Sequence, residues 1–173
     1  MVLLDIVRKQ GKIMLLNIKG SNKATRILVN RAAWWYAEKL MGKRLMNNLE
    51  IHISLDRNLG KKYNIEGSCI WEDELRRPRE FTMKLDASMS IRNILITLAH
   101  EMVHVKQWAK DEMYEYQNTP KMVRYMGEKM HLDKVDYWDY PWEIEAFGRQ
   151  LGLFVRFCKD IGIGDHDDMQ ETA

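Results

Sequence analysis

With 173 residues, 46% hydrophobic and 30% charged, the chain suits one domain, residues 1–173, with a real core. No apolar run approaches the roughly 18 residues a membrane span needs, and MVLLDIVRKQGK has Asp5 within its apolar stretch and its basic residues after it. It does not read as a secretory leader, and the cytoplasm is the expected compartment. The net charge of +2 divides unevenly: residues 1–62 hold 13 Lys/Arg against 4 Asp/Glu, leaving an acidic remainder. A basic third of this kind suits either a solvated face balanced by the rest of the chain or a nucleic-acid partner. Cys69 and Cys158 are too few and too far apart for a disulfide framework, and both read as buried thiols.

In chain order, a short strand is predicted around residues 13–18, between Gly11 and Gly20. A helix follows from Lys23 to Met41, with Val29, Ala33, Tyr36 and Leu40 as its apolar stripe and Gly42 as its stop. Three strand-like segments come next: Leu49 to Asp56, Gly67 to Glu72 and Glu80 to Asp86. In the first, alternation sends Leu49, Ile51, Ile53 and Leu55 to one face and His52 and Ser54 to the other, so His52 faces solvent. Turn residues between the segments predict an antiparallel meander.

The third segment leads into SIRNILITLAHEMVHVKQWAK, Ser90 to Lys110, which reads as one helix and organises the rest. Ile91, Leu98, Met102, Val105 and Ala109 form its core stripe, while His100 and His104 fall opposite, with Thr97, Gln107 and Trp108 near them. Histidines four apart stack on one helix face, close enough for both imidazoles to reach one zinc ion. Glu101 follows the first histidine, where a carboxylate can take a proton from water at the metal.

Residues 111–119 read as a polar connection, residues 122–132 as a small hairpin over the cleft, and Lys134 to Tyr140 as an acidic, aromatic loop. Pro141 then opens a helix running to about Asp160. Its Gly148 and Gly152 would let another backbone approach closely. The tail from about residue 163, with His166, is expected to fray.

A catalytic zinc site takes three protein ligands, and no further histidine follows within 11 residues of His104. The third ligand must be His131 or a carboxylate of the last helix. In WEIEAF, Glu143 shares a stripe with Phe147, Leu151, Phe154 and Cys158, the face expected to look inward. Glu145 falls with Arg149 and Arg156, an exposed set containing an ordinary i,i+4 pair. A carboxylate among aromatics is costly unless paired or metal-bound, which makes Glu143 the expected ligand.

AHEMVH at Ala99 to His104 and WEIEA at Trp142 to Ala146 together resemble the signature of gluzincin zinc metallopeptidases. In outline the chain is similar to the minigluzincins and to small phage-encoded proteins of this type, and more loosely to SprT-like proteases. The resemblance is specific over residues 90–155. It implies an α+β, zincin-like fold: a small antiparallel sheet packed on the HExxH helix, an N-terminal helix, and a C-terminal helix bearing the third ligand. It also implies peptide-bond hydrolysis of a peptide or protein substrate, with His100, His104 and Glu143 holding Zn2+ and Glu101 as general base. A donor for the developing oxyanion is not fixed by the pattern. Tyr125, Tyr137, Tyr140 and His131 are the candidates, and Tyr140 stands nearest the third ligand in sequence. The segment Glu80 to Asp86 is the expected strand edge for an extended peptide. The competing reading is a non-proteolytic zinc-containing module that holds nucleic acid through its basic N-terminal third.

Overall fold

The computed structural model describes residues 13–164; the expectations for the first 12 residues and for the tail with His166 lie outside them. The architecture is mixed α and β: four helices, a four-stranded sheet and a three-stranded one. The strand β1 (Leu15–Gly20) leads into helix α1 (Lys23–Met46), capped by the Asn22 side chain, which accepts from the Thr25 N–H. Gly42 sits at φ 73° inside α1, so it breaks the helix where the sequence predicts a stop, and one further turn follows. Val29, Ala33 and Tyr36 are fully buried, while Leu40 is only half-buried.

The three predicted segments are present as β2 (Glu50–Asp56), β3 (Gly67–Trp71) and β4 (Glu80–Asp86), but they do not form a meander. The sheet order is β1-β2-β4-β3, with β1, β2 and β4 parallel and only β3 antiparallel to its neighbour. After β2 the chain passes through a short helix, α2 (Leu59–Tyr63), out to the sheet edge, then turns back so that β4 inserts between β3 and β2. The residues explain the placement. Phe81, Met83 and Leu85 of β4 are fully buried opposite Ile51, Ile53 and Leu55 of β2, so the two strands whose inward faces are wholly apolar share the centre. As β4 is paired on both sides, it cannot be the free edge; that edge is β3.

Inward side chains of the sheet meet helices α1 and α3 (Ile91–Ala109), and α4 (Pro141–Ile161) packs on those two helices. The other face is polar and open, with Asn17, Lys19, His52, Thr82 and Lys84 around a shallow depression. Helix α3 runs through the middle of the molecule, touching α1, α4, β3 and β4. Leu98, Met102, Val105 and Ala109 are buried as the periodicity predicts, but its polar side is buried too: Glu101, His104, Lys106 and Gln107 are all under 10% exposed. The predicted hairpin is β6 (Met122–Tyr125) and β7 (Glu128–His131), turning at Met126 and Gly127 with positive φ, and β5 (Met113–Glu115) joins it to make the second sheet. Among the described residues, no helix is long and apolar enough to cross a membrane.

Candidate metal centre

Helix α3 is fixed at its start by Ser90, whose hydroxyl accepts from the Asn93 N–H. The preceding turn is held by Asp86, whose carboxylate accepts from the N–H groups of Asn58, Gly60 and Ser88. On α3, His100 and His104 present their Nε2 atoms to each other at 3.1 Å. Pro141 starts α4 in the first-turn position, and two residues later Glu143 reaches the same point: its carboxylate oxygens lie 3.4 Å from His100 Nε2 and 3.5 Å from His104 Nε2. Zinc held by nitrogen and oxygen at about 2.0–2.1 Å in a tetrahedron keeps its ligand atoms about 3.3 Å apart. The two Nε2 atoms at 3.1 Å, with one Glu143 oxygen 3.4 Å from His100 and the other 3.5 Å from His104, are therefore close to the spacing of ligands on one such ion.

The ring nitrogens on the far side fix the tautomers. His104 Nδ1 is 2.8 Å from Gln107 Oε1, and the Gln107 amide N donates to the Trp142 carbonyl and to Glu145. With both amide hydrogens placed on acceptors, Oε1 must accept, so Nδ1 carries the proton and Nε2 offers a lone pair. His100 Nδ1 is likewise 2.9 Å from Gln150 Oε1. Two imidazole nitrogens facing each other across 3.1 Å beside a carboxylate need a proton or a cation between them, and the donor set fits a metal ion.

Burial lowers the pKa of His104 despite the nearby Glu143. At His100 burial acts in the same direction, but Glu143 and Glu101 outweigh it and the pKa is raised. Burial would raise Glu143, yet its bonds to His100 and Tyr137 and the neighbouring His104 hold it below the usual carboxylate range. Glu101 is 6% exposed, and burial, reinforced by Glu143 and opposed by His100, pushes its pKa up to about 7. Its carboxylate lies against β3: a Cβ at Gly67 would come within 2.9 Å of Glu101 Oε1 and 2.6 Å of Thr97. Glycine there is what allows the edge strand to close over the glutamate.

The four candidate oxyanion donors separate clearly. The Tyr140 hydroxyl donates to the Leu132 carbonyl and its ring stacks on Trp142; Tyr125 donates to Glu145; His131 Nδ1 accepts from the Asp133 N–H. Tyr137 donates to Glu143 Oε2 at 2.9 Å, which puts a hydroxyl at the ligand cluster itself. His100, Glu101, His104, Glu143, Tyr137 and Gly67 to Cys69 of β3 line one cavity of about 360 Å³, with the second sheet as its far wall. Cys69 is only half-buried there, and the thiols of Cys69 and Cys158 are both free.

Glu145 differs from its expected place on an exposed face. It does pair with Arg149, at 2.8 Å, but it also accepts from Lys106, Gln107 and Tyr125 and is largely buried. The cause lies on α3, where the buried Lys106 ammonium needs counter-charges and takes Glu145 and Glu112, each at 2.6 Å. The inward stripe of α4 agrees with expectation at Phe154 and Cys158, which are buried, but not at Phe147 and Leu151, which are exposed; Trp142, Ala146, Leu153 and Phe157 are buried instead. Glu143 thus stands at the edge of the packed face rather than in its middle. Gln107 and Gln150 are the supports that the histidine pattern does not announce, although each lies on a ligand-bearing helix face, three residues from His104 and seven from Glu143.

Among the described residues of the basic third, Arg26 donates to the carbonyls of Gly20 and Ser21, Lys39 lies near Asp160 and Lys43 near Glu38. No protein-family model, curated protein or solved structure matches the chain.

Proposed function

We propose that the chain is a zinc-dependent metallopeptidase, with His100, His104 and Glu143 as ligands and Glu101 as general base. The observation that carries this is the meeting of the His100 and His104 Nε2 atoms and the Glu143 carboxylate at ligand spacing, one residue from a buried glutamate. Zinc bound there would supply Lewis acidity, polarising a carbonyl and acidifying water. Glu101, with a pKa of about 7 set chiefly by burial, can take a proton near neutral pH and hand it to a leaving amine. Tyr137 can move its hydroxyl from Glu143 to an oxygen bearing developing negative charge. The free edge of β3, lining the same cavity, offers backbone groups to an extended peptide, in place of the β4 edge that the sequence suggests.

The test measures zinc content and casein hydrolysis in the wild type, Glu143→Ala, Glu145→Ala and Glu101→Gln. Near-stoichiometric zinc is expected in all but Glu143→Ala, with proteolysis lost in Glu101→Gln although its metal is retained. A wild type that takes up no zinc on reconstitution, or an unchanged rate in Glu101→Gln, sinks the reading.

A further inference from the structure

Helix α4 is apolar on two opposite sides. Trp142, Ala146, Leu153 and Phe157, on the side that packs against α3 and α1, are under 5% exposed. At about 100° per residue, Ile144, Leu151 and Val155 lie within about 40° of one another on the reverse side. They are 56%, 49% and 53% exposed. Phe147, 42% exposed, borders this stripe and continues it through the exposed Trp138 ring, 5.8 Å away. A contiguous apolar stripe on the outside of a folded domain marks an interaction surface. Gly148 and Gly152 lie on the same side, and a Cβ at Gly148 would meet nothing, so the backbone there is bare.

We propose that this face binds a second copy of the chain, with the two α4 helices antiparallel about a two-fold axis between residues 148 and 151. The sequence is self-complementary in that register. Ile144 stands opposite Val155, Phe147 opposite Gly152 and Leu151 opposite Gly148, so a large side chain faces a glycine in two of the three layers. Glycines on both helices let the backbones approach until the large side chains fill the hollows. Charge agrees with the same orientation. The turn before α4 is acidic, with Asp136 and Asp139; beyond the stripe come Lys159 and Arg156, whose Nε donates to the Gly152 carbonyl, while Asp160 already accepts from Trp35. Antiparallel docking brings the acidic end of each copy to the basic end of the other and opposes the helix dipoles; parallel docking would do neither. Phe147 also touches the His100 ring, with centroids 4.6 Å apart, so the pair would be joined along the rim of the metal-ligand cluster.

The inference does not depend on zinc or on catalysis, and its test uses the metal-free full chain. Sedimentation equilibrium of the wild type is expected to give a concentration-dependent dimer, and Leu151→Glu with Val155→Glu a monomer with an unchanged circular dichroism spectrum. Gly148→Leu supplies an independent variant: the side chain has free space in one copy and favours helix, so the melting temperature should hold or rise while dimerisation weakens at least tenfold. Mixing Ile144→Cys with Val155→Cys protein under mild oxidation should give the mixed disulfide. A wild type that stays monomeric at all concentrations, a dimer that survives both charge substitutions, or disulfides only between identical variants would each overturn the proposal.

Discussion

Replacing Gln107 with methionine keeps side-chain length and burial but removes every polar contact at the centre of the α3–α4 junction. In the wild type this fully buried amide receives the His104 Nδ1–H and donates to the Trp142 carbonyl and to Glu145. A buried group left without its partner costs about 1–3 kcal/mol. Glu145 keeps Lys106, Tyr125 and Arg149, and the Trp142 carbonyl lies within α4 and keeps its helical partner, so the uncompensated loss is at His104 Nδ1. Methionine fills the space, and the net destabilisation should be about 1–3 kcal/mol. The effect on metal is separable. Without an acceptor at Nδ1 the imidazole is free to take the other tautomer, which removes the Nε2 lone pair, and zinc affinity should fall about 10- to 100-fold. Competition with a chromophoric chelator measures that affinity, and urea unfolding of the metal-free protein measures the stability. Unchanged zinc affinity in a folded Gln107→Met protein would refute the argument that Gln107 sets the tautomer of His104.

Two further outcomes concern pH. In the metal-free protein the pKa of Glu101 is raised to about 7, so its contribution to stability is fully present below the unfolded value near 4.5 and is lost as pH rises through 7. Glu101→Gln cannot ionise, and relative to the wild type it should gain up to about 3 kcal/mol between pH 5 and 8; a pH-independent difference in melting temperature would contradict this. Asp86 behaves oppositely. Burial would raise its pKa, but the Ser88 hydroxyl and the backbone N–H groups of Gly60, Ser88 and Asn58 hold it at about 2. Its stabilisation is present above the ordinary value of 3.8 and is lost as pH falls through about 2. Asp86→Ala should therefore be clearly less stable at pH 6, and thermal melts should show the gap closing toward pH 2; a gap that persists there would mean that the carboxylate charge is not what holds the turn.

Much of this arrangement follows from local rules. The α1 break at Gly42, the β6–β7 hairpin and the start of α4 at Pro141 follow from residues acting on their own backbone, and the stacking of His100 over His104 follows from helix pitch. Even the choice of Glu143 over Glu145 as the carboxylate nearest the histidines is readable, because helix phase separates the two. What the chain does not state locally is which partner each face meets. The meander failed because β4, with Phe81, Met83 and Leu85 all on its buried face, pairs with β2 as well as with β3, a pairing between strands that no turn residue records. Glu145 is buried because Lys106, on another helix, must be neutralised, and Gln107 and Gln150 become supports only when α4 lies against α3. The spacing of residues along the sequence thus determined the helix faces that carry His100, His104 and Glu143. The tautomers, the raised pKa of Glu101, the position of the Tyr137 hydroxyl and the free edge of β3 were decided by tertiary structure, since each depends on atoms brought together from distant segments by burial.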